Sequence, residues 1–192
     1  KIDQIVPDLG HDDDAFSDDG DDGTVDLDAL QRGPGIASSS LALLKGRKNA
    51  RGRPTPPLVV CASLVDKAPN LAGLTRTAEV FGCEAITLPD GRMPASKEFQ
   101  AIAVTAEKWI PCLVVPPNKL KPWLLDQKAR GYKVVALEQA TNSTCLSTAV
   151  LPEPAVLLLG KEKEGVPVDL MDVVDVCLEI PQLGVVRSLN VH

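Results

Sequence analysis

From Leu58 onward, short aliphatic and β-branched runs alternate with longer stretches whose apolar residues recur at helical spacing. LVVCASL (58–64) is apolar almost throughout and predicts a strand buried on both faces. NLAGLTRTAEVFG (70–82) predicts a helix with Asn70 as its N-cap and Gly82 just beyond its end. EAITLP (84–89) predicts a second strand, SKEFQAIAVTAEKW (96–109) a second helix and CLVV (112–115) a third strand. Residues 118–130 predict a helix stopping at Gly131, with Lys128 and Arg130 in its last turn to complement the dipole. YKVVALE (132–138), AVLLLG (155–160) and VDVCLEI (174–180) bring the strands to six. Strands that alternate with helices, several of them apolar on both faces, predict an α/β fold built on a mostly parallel sheet covered by helices.

The first 57 residues have a different texture. Residues 1–30 hold eleven Asp and one Lys, a net −10 within a chain of net −6, so the remainder is mildly basic at +4. HDDDAFSDDGDDG cannot bury enough apolar surface to fold alone, which predicts disorder over 10–25. It is not a calcium loop, for it lacks the Glu at the twelfth position and the flanking amphipathic helices. Lys45, Arg47, Lys48, Arg51 and Arg53 then crowd into nine residues of a Gly/Ser/Pro-rich stretch, a linker that reads either as an RNA-facing patch or as a solvated basic or localisation segment. The expected division is an acidic then basic, largely flexible extension at 1–57 and one domain at 58–192. A start at Lys1, without Met or a signal-type run, is expected of a fragment or processed piece.

Composition removes several chemistries. No apolar run approaches the roughly 18 residues needed to span a bilayer. Cys61, Cys83, Cys112, Cys145 and Cys177 form no CxxC pair and the histidines are only His11 and His192, so no zinc or other metal site is expected. An odd number of cysteines, three of them in or beside strand-like runs, predicts reduced core thiols and an intracellular protein, cytoplasmic or nuclear. Without a central His, Ser–His and Cys–His nucleophile pairs are excluded. GxGxxG and GxxxxGK[ST] are both missing, and GKEKEG (160–165) only looks like a phosphate loop. At 3% aromatic content, an exposed stacking sheet of RRM type is disfavoured, and Trp109 and Trp123 are expected in core or interface packing.

Parallel sheets bind ligands beyond the strands' C-terminal ends. Three such segments stand out: NLAGLTR (70–76), LLLGKEKEGVP (157–167) and IPQLGVVRSLNV (180–191). Together they resemble the three motifs of the SpoU-type (SPOUT superfamily) RNA 2′-O-methyltransferases, over about residues 58–192. VDKAPNLAGLTRTAEVFG, WIPCLVV and IPQLGVVRSLNVH look most like the catalytic domains of the eukaryotic TAR-RNA-binding-protein-type tRNA guanosine-2′-O-methyltransferases. The resemblance implies a Rossmann-like sheet whose C-terminal segment forms a trefoil knot, a homodimer with an active site shared between subunits, and S-adenosyl-L-methionine as cofactor. Mapped residue by residue, cofactor binding falls on Leu137, Glu138, Gln139, Leu159, Gly160, Glu162, Ile180, Gln182, Gly184, Ser188, Leu189 and Asn190. The catalytic group is Arg76 with Asn70, Glu162, Ser188 and Asn190. Gly160 and Gly184 suit a ligand that approaches backbone.

The implied activity is S-adenosylmethionine-dependent ribose 2′-O-methylation of RNA, with a guanosine in the tRNA D-loop as the favoured target. The alternatives are ribosomal RNA as substrate, or a catalytically silent knotted module for RNA binding or dimerisation. Taken one at a time, the residues keep plainer readings: Asn70 as an N-cap, Arg76 as a solvated helix residue, Ser188 and Asn190 as caps of a following helix, Lys161 to Glu164 as a solvated charged loop. Their joint occurrence at strand ends favours the site. The chain ends at His192, where the family continues into a final helix, and the domain is therefore expected to lack that helix.

Overall fold

The computed structural model describes residues 55–185 and 189–192. The acidic segment, the basic stretch at 45–53 and Ser188 lie outside the described residues.

The elements run β1 (Leu58–Cys61), α1 (Ala68–Val80), β2 (Ala85–Leu88), α2 (Lys97–Ala103), β3 (Cys112–Val114), α3 (Pro117–Ala129), β4 (Lys133–Leu137), β5 (Thr144–Cys145), β6 (Ala155–Leu159), α4 (Val168–Met171) and β7 (Val176–Glu179). Short 3₁₀ turns at Met93–Ala95 and Ala106–Lys108 flank α2. All seven strands lie parallel in one sheet of order β3-β2-β1-β6-β4-β7-β5. The alternation of strand side chains sorts the core into two faces. Val59, Cys61, Val134, Ala136, Val156 and Leu158 pack with Leu120, Trp123 and Leu124 of α3 and Leu170 of α4. Val60, Ile86, Leu88 and Leu159 pack on the opposite face with Leu71, Ala72, Leu74 and Ala78 of α1 and Phe99 and Ala103 of α2. Helices thus cover both faces of a parallel sheet, as the alternating pattern requires.

Several elements differ from the sequence reading. Helix α1 starts at Ala68 with Lys67 as its cap, so Asn70 is not an N-cap but lies inside the first turn. Pro69 explains this, since a proline in the first turn lacks only an N–H that has no intrahelical partner anyway. Ser96 does cap α2, its hydroxyl accepting from the Phe99 N–H at 3.2 Å, but the helix stops at Ala103 instead of continuing to 109. Val104 and Thr105 both turn left-handed, at φ 49° and 68°, and the chain continues as a 3₁₀ turn. That break leaves Trp109 55% exposed, not in the core, while Trp123 is buried. A seventh strand, β5, and the four-residue α4 were missed because neither is long enough to show a period. Cys61, Cys83 and Cys112 are buried, but Cys145 and Cys177 are only partly so, and all five are free thiols. Burial pushes the Cys112 thiol up to about 12, with Glu107 adding to the effect.

Candidate active site

Parallel register brings the C-terminal ends of β4, β6 and β7 to one edge. There they enclose a cleft of about 680 Å³, within the usual range for small-molecule sites. Leu137, Glu138 and Gln139 line it from the end of β4, Leu159 to Gly165 from the loop after β6, and Leu178, Glu179, Ile180 and Gln182 from the end of β7. Leu189, Asn190 and Val191 close it from the C-terminal segment. Of the described residues expected there from the sequence, all but Gly184 surround one cavity, and Ser188 lies outside the described residues. Lys161, Lys163, Glu164, Gly165, Leu178, Glu179 and Val191 also line it and were not singled out.

The loop after β6 is a built hairpin. Lys161 N–H donates to the Gly165 carbonyl at 2.9 Å and Gly165 N–H donates back at 3.0 Å. Lys161 Nζ pairs with Glu164 at 2.6 Å, which raises the lysine's pKa and lowers the carboxyl's. Lys161 is exposed, as the solvated-loop reading expects, while its backbone closes the hairpin and its ammonium pairs with Glu164. The Val166 N–H donates to Glu138 Oε2 at 2.9 Å, fastening the hairpin to the end of β4. Gly165 sits at φ +70°, and a side chain there would also collide with the Glu138 carboxylate. Gly160 has a different cause from the one expected: an added Cβ would fall 2.5 Å from the Gly165 carbonyl carbon and 2.7 Å from the Val166 nitrogen. The chain's own backbone, not a ligand, demands that glycine. At Gly184 an added Cβ meets nothing within 4 Å among the described residues.

The first segment reaches this cleft through Asn70. Its Nδ2 donates to Glu162 Oε1 across 92 positions of sequence, and Lys67 Nζ engages the other carboxylate oxygen. The Lys67 hydrogen bond, with Asn70 adding to it, holds the Glu162 carboxyl below the ordinary carboxylate range against a smaller opposing effect of burial. The C-terminal segment also meets α1, for an added Cβ at Gly73 would lie 2.5 Å from the His192 ring. Gly73 was missed as a packing residue, although a glycine in mid-helix is a signal of close approach.

Arg76 is not part of this cleft. It is exposed on α1, six residues beyond Asn70 and so roughly 120° around the helix from it. There it lines a second cavity of about 340 Å³ with Glu79, Val80, Val104, Thr105 and Trp109.

Residues 57–192 match the SpoU rRNA Methylase family. The chain belongs to this family. It is 45% identical over 141 residues to the tRNA (guanosine(18)-2'-O)-methyltransferase TARBP1 of Mus musculus, covering 73% of this chain and 9% of that protein. The tRNA (guanosine(18)-2'-O)-methyltransferase of Saccharomyces cerevisiae is 38% identical over 136 residues, covering 70% of this chain and 10% of the yeast protein. The chain therefore spans about a tenth of these relatives. Among solved structures, the AdoMet-bound rRNA methyltransferase from Sinorhizobium meliloti superposes with a TM-score of 0.59 at 29% identity, covering 70% of this chain and 50% of that one.

Proposed function

We propose that this domain is an S-adenosylmethionine-dependent tRNA guanosine 2′-O-methyltransferase. The observation that carries the reading is the convergence on one cleft of three separated segments, with Asn70 of the first hydrogen-bonded to Glu162 of the second and Asn190 of the third lining the same cleft as Glu162. The names borne by the mouse and yeast relatives support tRNA as substrate over ribosomal RNA.

The cleft fits the cofactor. Leu137, Leu159, Leu178 and Ile180 offer an apolar slot, while Glu138, Glu162 and Glu179 supply carboxylates suited to hydroxyls, an ammonium or a sulfonium. When bound, S-adenosylmethionine supplies an electrophilic methyl group. Glu138 and the 160–165 hairpin would hold it, with Gln139, Gln182, Leu189 and Asn190 on the remaining walls. The substrate's 2′-hydroxyl is a weak nucleophile until positioned and relieved of its proton. Arg76 takes the positioning role: a guanidinium stays protonated, so it holds ribose or phosphate oxygens and stabilises anionic charge, and the proton passes to phosphate or water.

Because Arg76 faces away from the cleft of its own chain, the site is completed by a second copy whose Arg76 approaches the cofactor. This homodimer is part of the proposal. So is a trefoil knot at the C-terminus, supported by the return of residues 189–191 to the cavity formed by the ends of β4 and β6. Ser188 belongs to the same segment and is assigned to the substrate's ribose and phosphate. Residues 1–57 act as a separate extension in this reading, and the free thiols support an intracellular setting. The test is incubation of the full protein with unmodified tRNA and S-adenosylmethionine, followed by mass mapping of methylated nucleosides. A single 2′-O-methylguanosine is expected. Absence of any methylated nucleoside, with cofactor binding also absent by calorimetry, would overturn the reading.

A further inference from the structure

The second cavity has its own chemistry. Arg76, Glu79 and Val80 stand at i, i+3 and i+4 on α1, so they share one face with Cβ atoms about 5–6 Å apart. Residues 103–106 and Trp109, after α2, complete the lining. Trp109 is 55% exposed, although its chain neighbour Ile110 belongs to the buried cluster that holds Leu71 and Phe99. Its position depends on Val104 and Thr105, consecutive β-branched residues in the left-handed region. Such residues resist that conformation, and neighbouring left-handed positions without glycine are a marked departure from ordinary backbone. Neither the Arg76 guanidinium nor the Glu79 carboxylate has a hydrogen-bond or ion-pair partner among the described residues, although they are neighbours on the same helix face. The cavity therefore presents an aromatic residue together with a carboxylate and a guanidinium that have no partner among the described residues, and its volume of about 340 Å³ suits a single nucleoside.

We infer that this cavity is the receptor for the purine base of the target nucleotide, and that it selects guanine. The inference rests on the function proposed above. Trp109 stacks on the base, as aromatic side chains do with bases unstacked from RNA loops. Glu79 accepts from the guanine N1–H and exocyclic N2 amine, the two adjacent donors that adenine lacks on that edge. Arg76, one helical turn away, then meets the sugar and phosphate of the same nucleotide. A carboxylate facing nucleic acid is unfavourable toward phosphate but matches a donor edge, which favours a base here over backbone. In the proposed dimer the base sits on one subunit and the cofactor on the other, and the 2′-oxygen lies between them.

The experiment measures single-turnover methyl transfer by the full protein to tRNA transcripts carrying guanosine, inosine or adenosine at the modified position. Wild type should rank guanosine above inosine, which lacks the N2 amine, and both above adenosine. Glu79→Gln should lower kcat/KM for guanosine by about tenfold or more and shrink the guanosine-to-inosine ratio, because an amide offers one acceptor in place of two. Trp109→Ala should raise KM for RNA by about tenfold with cofactor affinity unchanged, and Trp109→Phe should restore most of the loss. An unaltered guanosine-to-inosine ratio in Glu79→Gln overturns the inference. So does conversion of Trp109→Ala to a monomer in sedimentation, which would make the cavity a contact between copies. Failure of wild type to methylate any transcript would instead overturn the function proposed above.

Discussion

Replacing Gly160 with alanine tests whether the hairpin after β6 is preorganised by its own backbone. The added Cβ would stand 2.5 Å from the Gly165 carbonyl carbon, 2.7 Å from the Val166 nitrogen and 2.9 Å from the Gly165 Cα. Ordinary carbon contacts are about 3.5–4.0 Å, so the 165–166 backbone must retreat by about 1 Å. Lys161 and Gly165 exchange two hydrogen bonds at 2.9 and 3.0 Å, and the Val166 N–H donates to Glu138 at 2.9 Å. A 1 Å retreat weakens or breaks all three, at about 1 kcal/mol each, giving a destabilisation of about 2–3 kcal/mol. That corresponds to a drop in Tm of about 5–10 °C for a domain of this size. Cofactor binding suffers as well, because residues 159–165 form one wall of the cleft. If half of the same energy is needed to restore the wall, affinity falls about tenfold. Denaturant unfolding and calorimetric titration with S-adenosylmethionine measure the two effects. Gly184→Ala is the comparator, since its Cβ meets nothing among the described residues within 4 Å. A Gly160→Ala protein as stable and as tightly bound to cofactor as Gly184→Ala would refute the reasoning.

Arg76→Ala should abolish methyl transfer and leave cofactor affinity within about twofold, because Arg76 lies outside the cleft proposed for the cofactor; equal loss of both in titration and turnover would make Arg76 a structural residue. For Glu162, whose carboxyl Lys67 and Asn70 hold below its ordinary 4.5, the charged contact is complete above that pH and is lost as pH falls through the lowered value. Lys67→Ala should therefore shift the Glu162 titration upward in a carboxyl-carbon NMR experiment, and an unmoved titration would count against the ion pair. Tyr132→Phe removes the hydroxyl that donates to the buried Glu84 at 2.7 Å and should cost about 1–3 kcal/mol in urea unfolding with cofactor affinity unchanged.

Much of the scaffold was legible because burial imposes a pattern. LVVC and AVLLL are apolar at every position, and AITL at all but Thr87, since each strand has helices on both sides, and that signature needs no tertiary information. Candidate site residues were legible only as segments at strand ends, recognised by resemblance. Boundaries were less so: Asn70 looks like an N-cap in sequence, yet Pro69 moves the helix start and leaves its amide free to reach Glu162. Nothing local distinguishes those two uses, because the deciding partner is 92 positions away. Likewise the run AIAVTAEKW carries no glycine to announce the left-handed break at Val104 and Thr105, and Phe99, Ala103 and Ile110 on either side of it share one core cluster while Trp109 stays exposed.

The glycines divide the same way. Gly82 and Gly131, both at positive φ after helices, follow from local rules of helix termination. Gly160 and Gly73 answer instead to a hairpin backbone and to the C-terminal His192, contacts formed only when the chain folds back on itself. Local periodicity therefore determined the layers and the edge at which the loops gather. Tertiary structure decided which side chains meet there and that Arg76 faces away, because contact between distant residues depends on helix phase and sheet order, and a single stretch of sequence encodes neither.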